Sequence, residues 1–237
     1  MLKNEGKRWS GFEWADQQKD IMLIGAGGIG SWTALSLSRI LHNLYIIDGD
    51  TIDETNVQGG QLFRKSDIGS KKVMAVTSIC EQFGCENKIY PVDAMYTPEV
   101  GMTDICITGL DNMAARKLCF ESWLDYVKAK KENGQDTSGC IFIDGRMAGE
   151  LCEVFAVQFK EEQIKEYSEN WLFTDEEVEE IECTLKQTTF MAMGIGSFIT
   201  STVCNFLYNN KLGAEIREVP FHQRFFSPIL DHKTWQK

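Results

Sequence analysis

The stretch that most constrains this chain begins at Ile21. A short apolar run, Ile21-Met22-Leu23-Ile24, meets GAGGIG (25–30), and SWTALSLSRILHN (31–43) follows directly. A brief apolar run bounded by glycines reads as a buried strand, and the spacing after it reads as a helix. A second strand is expected over 43–47, its apolar run Leu44-Tyr45-Ile46-Ile47 meeting Asp48. Strand, glycine turn, helix, strand is a parallel βαβ unit, and it commits the chain to an α/β fold.

The rest of the chain extends that unit. A turn-rich loop is expected over 49–70, a helix over 71–83, strands over 88–92 and 104–108, and a helix over 112–130 with Met113, Leu118, Trp123 and Val127 at helical spacing. A polar loop, 130–139, precedes a buried strand at 140–144. Residues 151–159 partly alternate, which suits an antiparallel extension with one wet face. The strongly acidic stretch 161–182 reads as a solvated, mobile crossover segment. Residues 189–208 carry no charge and approach the length of a bilayer span. Glycine, serine, threonine and asparagine dilute the stretch, so a buried core helix is expected. The tail after Arg217 holds FHQRFF, read as a core strand, with a partner-binding strand as its alternative. The expected fold is therefore a Rossmann-like, mostly parallel sheet flanked by helices, with the antiparallel extension toward the C-terminal half. The 237 residues fit one domain: an N-terminal arm (1–20), a nucleotide-binding half (21–145) and a second half (146–237).

Composition narrows the partners. A formal charge of −11 gains nothing from the counterion release that drives nucleic-acid binding, so no nucleic-acid partner is expected. No membrane partner is expected either. The opening MLKNEGKRWS lacks the apolar region of a signal peptide, and a cytoplasmic location follows as the simplest expectation. The eight cysteines form no C-x-x-C pair, so no zinc is expected. His42, His222 and His232 have no ligand spacing.

The chemistry gathers in the first half. Gly25, Gly27, Gly28 and Gly30 stand where backbone amides and a helix N-terminus meet phosphate. Asp48 ends the second strand, where a carboxylate accepts from ribose hydroxyls. Up to this point a dehydrogenase and an ATP-using enzyme look alike. Downstream come Asp50, Asn56, Lys72 in GSKKV, and Asp111-Asn112 in GLDN. These fall at the carboxyl ends of parallel strands. A lysine there neutralises a triphosphate and an aspartate there holds Mg²⁺; a nicotinamide enzyme needs neither. The bland alternative for Lys72 and Asp111 is a pair of exposed helix-end charges.

GAGGIG, DGD, NVQGG, GSKK and GLDN, in that order, resemble the ThiF/MoeB/HesA family, the ancestral fold of ubiquitin-activating enzymes. The resemblance covers about residues 8–208. It implies ATP and Mg²⁺ as cofactors and adenylation of the C-terminal carboxylate of a small ubiquitin-like or sulfur-carrier protein ending in Gly-Gly. It also implies a homodimer, with the second half of the chain meeting carrier and partner. By position, Asp48 resembles the ribose ligand; Asn56 and Gln58 belong to the nucleotide loop. Lys72 resembles the phosphate lysine and Asp111, beside Asn112, the magnesium-linked aspartate. Cys183 resembles a cysteine that in some members takes the activated carrier as a thioester; its alternative is a junction cysteine without chemistry.

Two positions depart from the family. An arginine that touches the terminal phosphates is Gly59 here, and an N-terminal arginine is Gly11. Arg8, Arg64 and Arg146 are the candidate replacements, with Arg146 favoured; its alternative is a strand-end charge. The departures raise a second possibility, a nucleotide-binding interaction module with impaired catalysis.

Overall fold

The computed structural model describes residues 18–40, 43–83, 88–173, 187–212 and 217–237. Eight strands form one sheet: β1 (Asp20–Ile24), β2 (Asn43–Ile47), β3 (Lys88–Val92), β4 (Ile105–Thr108), β5 (Ile141–Ala148), β6 (Leu151–Gln158), β7 (His222–Phe226) and β8 (Asp231–Trp235). Their order is β3-β2-β1-β4-β5-β6-β7-β8. β1 to β5 pair in parallel, and β5 through β8 are antiparallel. The helices are α1 (Gly28–Leu37), α2 (Glu54–Gln58), α3 (Lys72–Phe83), α4 (Met113–Glu132), α5 (Glu161–Asn170) and α6 (Thr189–Leu212).

The central strands are apolar throughout because both faces are covered. In β1, Ile21 and Leu23 enter one core while Met22 and Ile24 enter the other. The same alternation runs through β4 and β5, where Ile105, Ile107, Ile141 and Ile143 face the α1 side and Cys106 and Phe142 face the α4 side. α4 supplies Phe120, Trp123 and Val127 to the second core. Burying an aromatic of that size contributes roughly 1.5–3 kcal/mol. Pro91 has no N–H to give a ladder, and it sits in β3, an edge of the sheet.

α6 is long and apolar enough to cross a membrane by length and composition. Here it lies on α1, β5 and β6 and places Met191, Ile195, Ile199, Val203, Phe206 and Leu207 in the first core. The core-helix expectation for 189–208 holds.

Three expectations need correction. Part of the acidic crossover segment is ordered: α5 spans Glu161–Asn170 and buries Gln163 and Tyr167 against β6. Residues 174–186 lie outside the described residues. The loop 49–70 contains α2 and a 3₁₀ turn, Lys65–Asp67. The tail forms two strands rather than one, with β8 paired to β7.

Candidate nucleotide site

The site is built where β1, β2 and β4 end. Gly25 adopts φ 93°, and a side chain there would strike Gly109 O at 2.7 Å. Gly30 lies so close to the Gly25 carbonyl that a Cβ would sit 1.8 Å from it. The turn between β1 and α1 is thus locked against the loop after β4. Gly27 caps α1 without a side-chain hydrogen bond, so the helix start is not satisfied by a capping side chain. A Cβ on Gly27 would meet nothing nearer than the Gln61 amide at 3.9 Å, which leaves room on that side of the turn. Gln61 Oε1 is buried with no hydrogen-bond partner among the described residues.

Asp48 Oδ2 accepts the Ala26 N–H at 2.7 Å, and its Oδ1 accepts the Asp50 N–H at 2.8 Å. One carboxylate therefore ties the glycine turn to the loop after β2. Asp50 in turn holds Lys72: its Oδ2 accepts from Lys72 Nζ at 2.8 Å, and its carbonyl accepts the Lys72 N–H at 3.0 Å. The Lys72 side chain is 10% exposed and its aspartate partner 48%. The lysine is thus buried in an ion pair at the start of α3 rather than exposed at a helix end.

Asn56 and Asp53 form a reciprocal cap for α2. Asp53 Oδ1 accepts the Asn56 N–H at 2.9 Å, and Asn56 Oδ1 accepts the Asp53 N–H at 3.0 Å. The Thr55 hydroxyl and the Asn56 amide hold the Asp53 carboxyl below the usual range. Asn56 thereby shapes the loop that carries Gln58. Gln58 is exposed on the same short helix.

Asp111 is exposed at the end of β4, with Asn112 Nδ2 donating to its Oδ1 at 3.3 Å. Asn112 also caps α4, accepting the Ala115 N–H at 2.8 Å. Mg²⁺ needs one or two carboxylates besides phosphate oxygens. Asp111 is the one carboxylate at this strand end, and no cluster of three or more His, Cys, Asp or Glu side chains able to hold a metal by themselves occurs among the described residues.

Beneath Asp111 lies a buried network that the sequence reading missed. Asp144 is fully buried. Its Oδ1 accepts from Thr108 Oγ1 at 2.9 Å and from Arg116 Nη1; its Oδ2 accepts from Arg146 Nε at 2.7 Å and Tyr167 Oη at 2.9 Å. Arg116 also donates to Gly145 O at 2.9 Å and to Leu110 O. Burial alone would push the Asp144 carboxyl up, but Arg116 and Arg146 outweigh it and hold it below the usual range. Burial and the same carboxylate push the Tyr167 phenol far up.

This geometry revises the reading of Arg146. Its guanidinium is occupied by Asp144 and by the Trp171 carbonyl at 2.8 Å, and it lies 4.7 Å from the Phe155 ring centroid. It is the counter-ion of a buried aspartate rather than a free phosphate ligand. Arg64 is likewise paired, its Nε 3.1 Å from Asp67 Oδ2. Arg8, Gly11, His42 and Cys183 lie outside the described residues. Burial pushes up the thiols of all six described cysteines: Cys80 to about 11, Cys119, Cys140, Cys152 and Cys204 to about 12, and Cys106 well above the ordinary value. They pack as small hydrophobes.

Glycine turn, Asp48, Asp50–Lys72 and Asp111 gather at the carboxyl ends of parallel strands, where open α/β sheets hold their ligands. The ThiF family profile matches residues 14–233, and the chain belongs to that family. It is 34% identical over 106 residues to the SUMO-activating enzyme subunit uba-2 of Caenorhabditis elegans, covering 42% of this chain and 18% of that protein. It is 28% identical over 120 residues to a probable molybdopterin-synthase adenylyltransferase of Porphyra purpurea, covering 47% of this chain and 31% of that one. The chain thus spans less than a third of either relative's length. In fold it is similar to the Escherichia coli MccB structure with ATP, at TM-score 0.65 and 14% identity, over 92% of this chain and 63% of that one.

Proposed function

We propose that this chain is an ATP-dependent adenylyltransferase acting on the C-terminal carboxylate of a small ubiquitin-like or sulfur-carrier protein ending in Gly-Gly. The observation that carries the reading is the Asp48–Asp50–Lys72 chain of contacts beside the glycine turn, with Asp111 on the neighbouring strand end. Membership of the ThiF family and the names of its relatives support the choice of substrate class.

In the proposed reaction a carrier carboxylate oxygen attacks the α-phosphorus of ATP. The bond to the β-phosphate bridging oxygen breaks, and pyrophosphate leaves with the electron pair. The start of α1 and Lys72 hold the phosphates, Asp48 meets the ribose, and Asn56 and Gln58 border the nucleotide. Bound Mg²⁺ supplies charge neutralisation on the phosphate oxygens, and Asp111 with Asn112 would hold it. Catalysis of this kind is positioning and charge stabilisation. In a second step the Cys183 thiolate attacks the acyl-adenylate, releasing AMP and leaving a thioester. A homodimer, with 146–237 facing carrier and partner subunit, and a cytoplasmic setting complete the proposal.

The test is incubation with Mg-ATP and a small β-grasp protein ending in Gly-Gly. Intact-mass detection of a carrier acyl-adenylate supports the first step. A DTT-sensitive conjugate lost in Cys183→Ala supports the second, and a conjugate that persists in that variant removes the cysteine's role.

One observation favours the second reading, a nucleotide-binding interaction module. The spaces beside Gly28 and Gly59 are filled from within the chain by Gln187. Stable ATP binding with no adenylate formed on any carrier would establish that reading instead.

A further inference from the structure

Tyr167 sits on α5, a helix with most of its residues exposed that turns only Gln163 and Tyr167 fully inward. The ring needs no hydroxyl to fill that place. It packs against Phe120, Phe142 and Phe155, with centroids 4.8, 5.8 and 5.8 Å away, and a phenylalanine ring could pack the same way. A buried hydroxyl is costly unless it is bonded. Here it is bonded twice: Tyr167 Oη donates to Asp144 Oδ2 at 2.9 Å and accepts from Arg146 Nη2 at 3.4 Å. Burial and Asp144 push the phenol far above its ordinary value, so it keeps the proton it donates.

The contact leads onward. Through its other oxygen, Asp144 accepts from Arg116 Nη1. Arg116 then brackets Asp111 from both sides. Its Nη2 donates to Leu110 O, and its backbone N–H donates to Asn112 O at 3.4 Å. Tyr167 and Asp144 are fully buried and Arg116 is nearly so, which leaves water little part in these bonds. The run crosses from α5 to β5, then to α4, and ends at the loop after β4.

From this unbroken run of hydrogen bonds we propose that Tyr167 is a positioning residue for Asp111. Its hydroxyl fixes the Asp144 carboxylate, Asp144 fixes the Arg116 guanidinium, and Arg116 fixes the loop that presents Asp111. Loosening α5 at Tyr167 therefore loosens Asp111 as well. The value of that placement to catalysis rests on the adenylation reading given above, but the mechanical link is measurable without nucleotide.

The test uses the full chain with Tyr167→Phe and, as a control, Gln163→Ala. Gln163 anchors the same helix outside the run: its Oε1 accepts the Gln158 N–H at 2.8 Å, and its Nε2 donates to Lys237 O at 3.0 Å. Hydrogen exchange without nucleotide is read over 109–116 and 161–171. Tyr167→Phe accelerates exchange over 109–116 about tenfold, the factor for one hydrogen bond to a charged group. Gln163→Ala accelerates 161–171 and leaves 109–116 at the wild-type rate. Unchanged exchange over 109–116 in Tyr167→Phe overturns the proposal. Equal acceleration there by both variants also overturns it, because the link then lies in α5 packing rather than in the hydroxyl. So does a uniform rise over the whole chain, which makes the hydroxyl a general stabiliser. The second readout is pyrophosphate exchange with Mg-ATP and a carrier: Tyr167→Phe lowers kcat and kcat/KM equally, the mark of an interaction made in the transition state. A raised KM with kcat unchanged overturns the positioning role. If the wild type supports no pyrophosphate exchange, the adenylation reading fails, and hydrogen exchange alone decides whether Tyr167 positions Asp111.

Discussion

Replacing Arg116 with methionine tests whether the buried network holds the site together. The substitution keeps the volume of the side chain's stem and removes the guanidinium. Arg116 is 6% exposed and Asp144 fully buried, so water replaces little of what is lost. Asp144 keeps Arg146, Thr108 and Tyr167 but loses one of two cations. The carbonyls of Gly145 and Leu110 each lose a donor. Breaking a buried ion pair from one side costs about 3–5 kcal/mol. Two stripped carbonyls add to this, less whatever Arg146 recovers by closing on Asp144. A loss of about 4 kcal/mol is expected from that balance. Urea unfolding followed by circular dichroism measures it: the midpoint falls while the slope is unchanged. Leu110 precedes Asp111, so the loop presenting Asp111 loosens too, and activity falls further than the unfolded fraction explains. A midpoint shift worth under about 1 kcal/mol would refute the assignment of Arg116 as a principal counter-ion.

Asp144 gives a pH prediction. Its folded pKa is depressed, so its contribution to stability is complete above the ordinary carboxylate value of about 4 and is lost as pH falls through the folded value. Stability of the wild type therefore drops on acidification below about pH 4, and Asp144→Asn, less stable at pH 7, shows a flatter acid limb in melts against pH. If Lys72 holds phosphate as proposed, Lys72→Met raises the ATP dissociation constant by about 10- to 150-fold, read by calorimetry, while leaving adenosine binding unchanged. Gly60→Ala places a methyl against Thr189 at a positive φ and costs about 1–3 kcal/mol of stability, read as a lowered melting temperature.

What was legible in the sequence followed from periodicity and punctuation. β1, β4 and β5 announced themselves as uninterrupted apolar runs because each is buried on both faces. The glycine turn and Asp48 were legible because a strand-to-helix turn this tight, closed on Gly109 and tied to Asp48, tolerates few other residues. α5 was hidden by composition: only Gln163 and Tyr167 turn fully inward, and a helix that buries two residues, one of them polar, leaves almost no apolar pattern. β8 was hidden for a similar reason, as an edge strand with four of its five residues exposed. Arg116 was not singled out from the sequence. A signal was present, since it precedes Cys119, Phe120, Trp123 and Val127 on the buried stripe of α4 at helical spacing. An arginine on that stripe needs a buried acid, and Asp144 ends the apolar run CIFID. The filling of Gly59 and Gly28 could not be read at all, because Gln187 arrives from a distant part of the chain.

The central claim is that the Asp48–Asp50–Lys72 crevice with Asp111 activates a carboxylate at the expense of ATP. Isotope exchange between pyrophosphate and ATP tests it most directly, with Mg²⁺ and a small carrier ending in Gly-Gly. The account predicts exchange that depends on the carrier and falls by about a hundredfold or more in Asp111→Asn, as expected when a group stabilising charge in the transition state is removed. Exchange that is absent with every such carrier, while ATP remains bound, would contradict it.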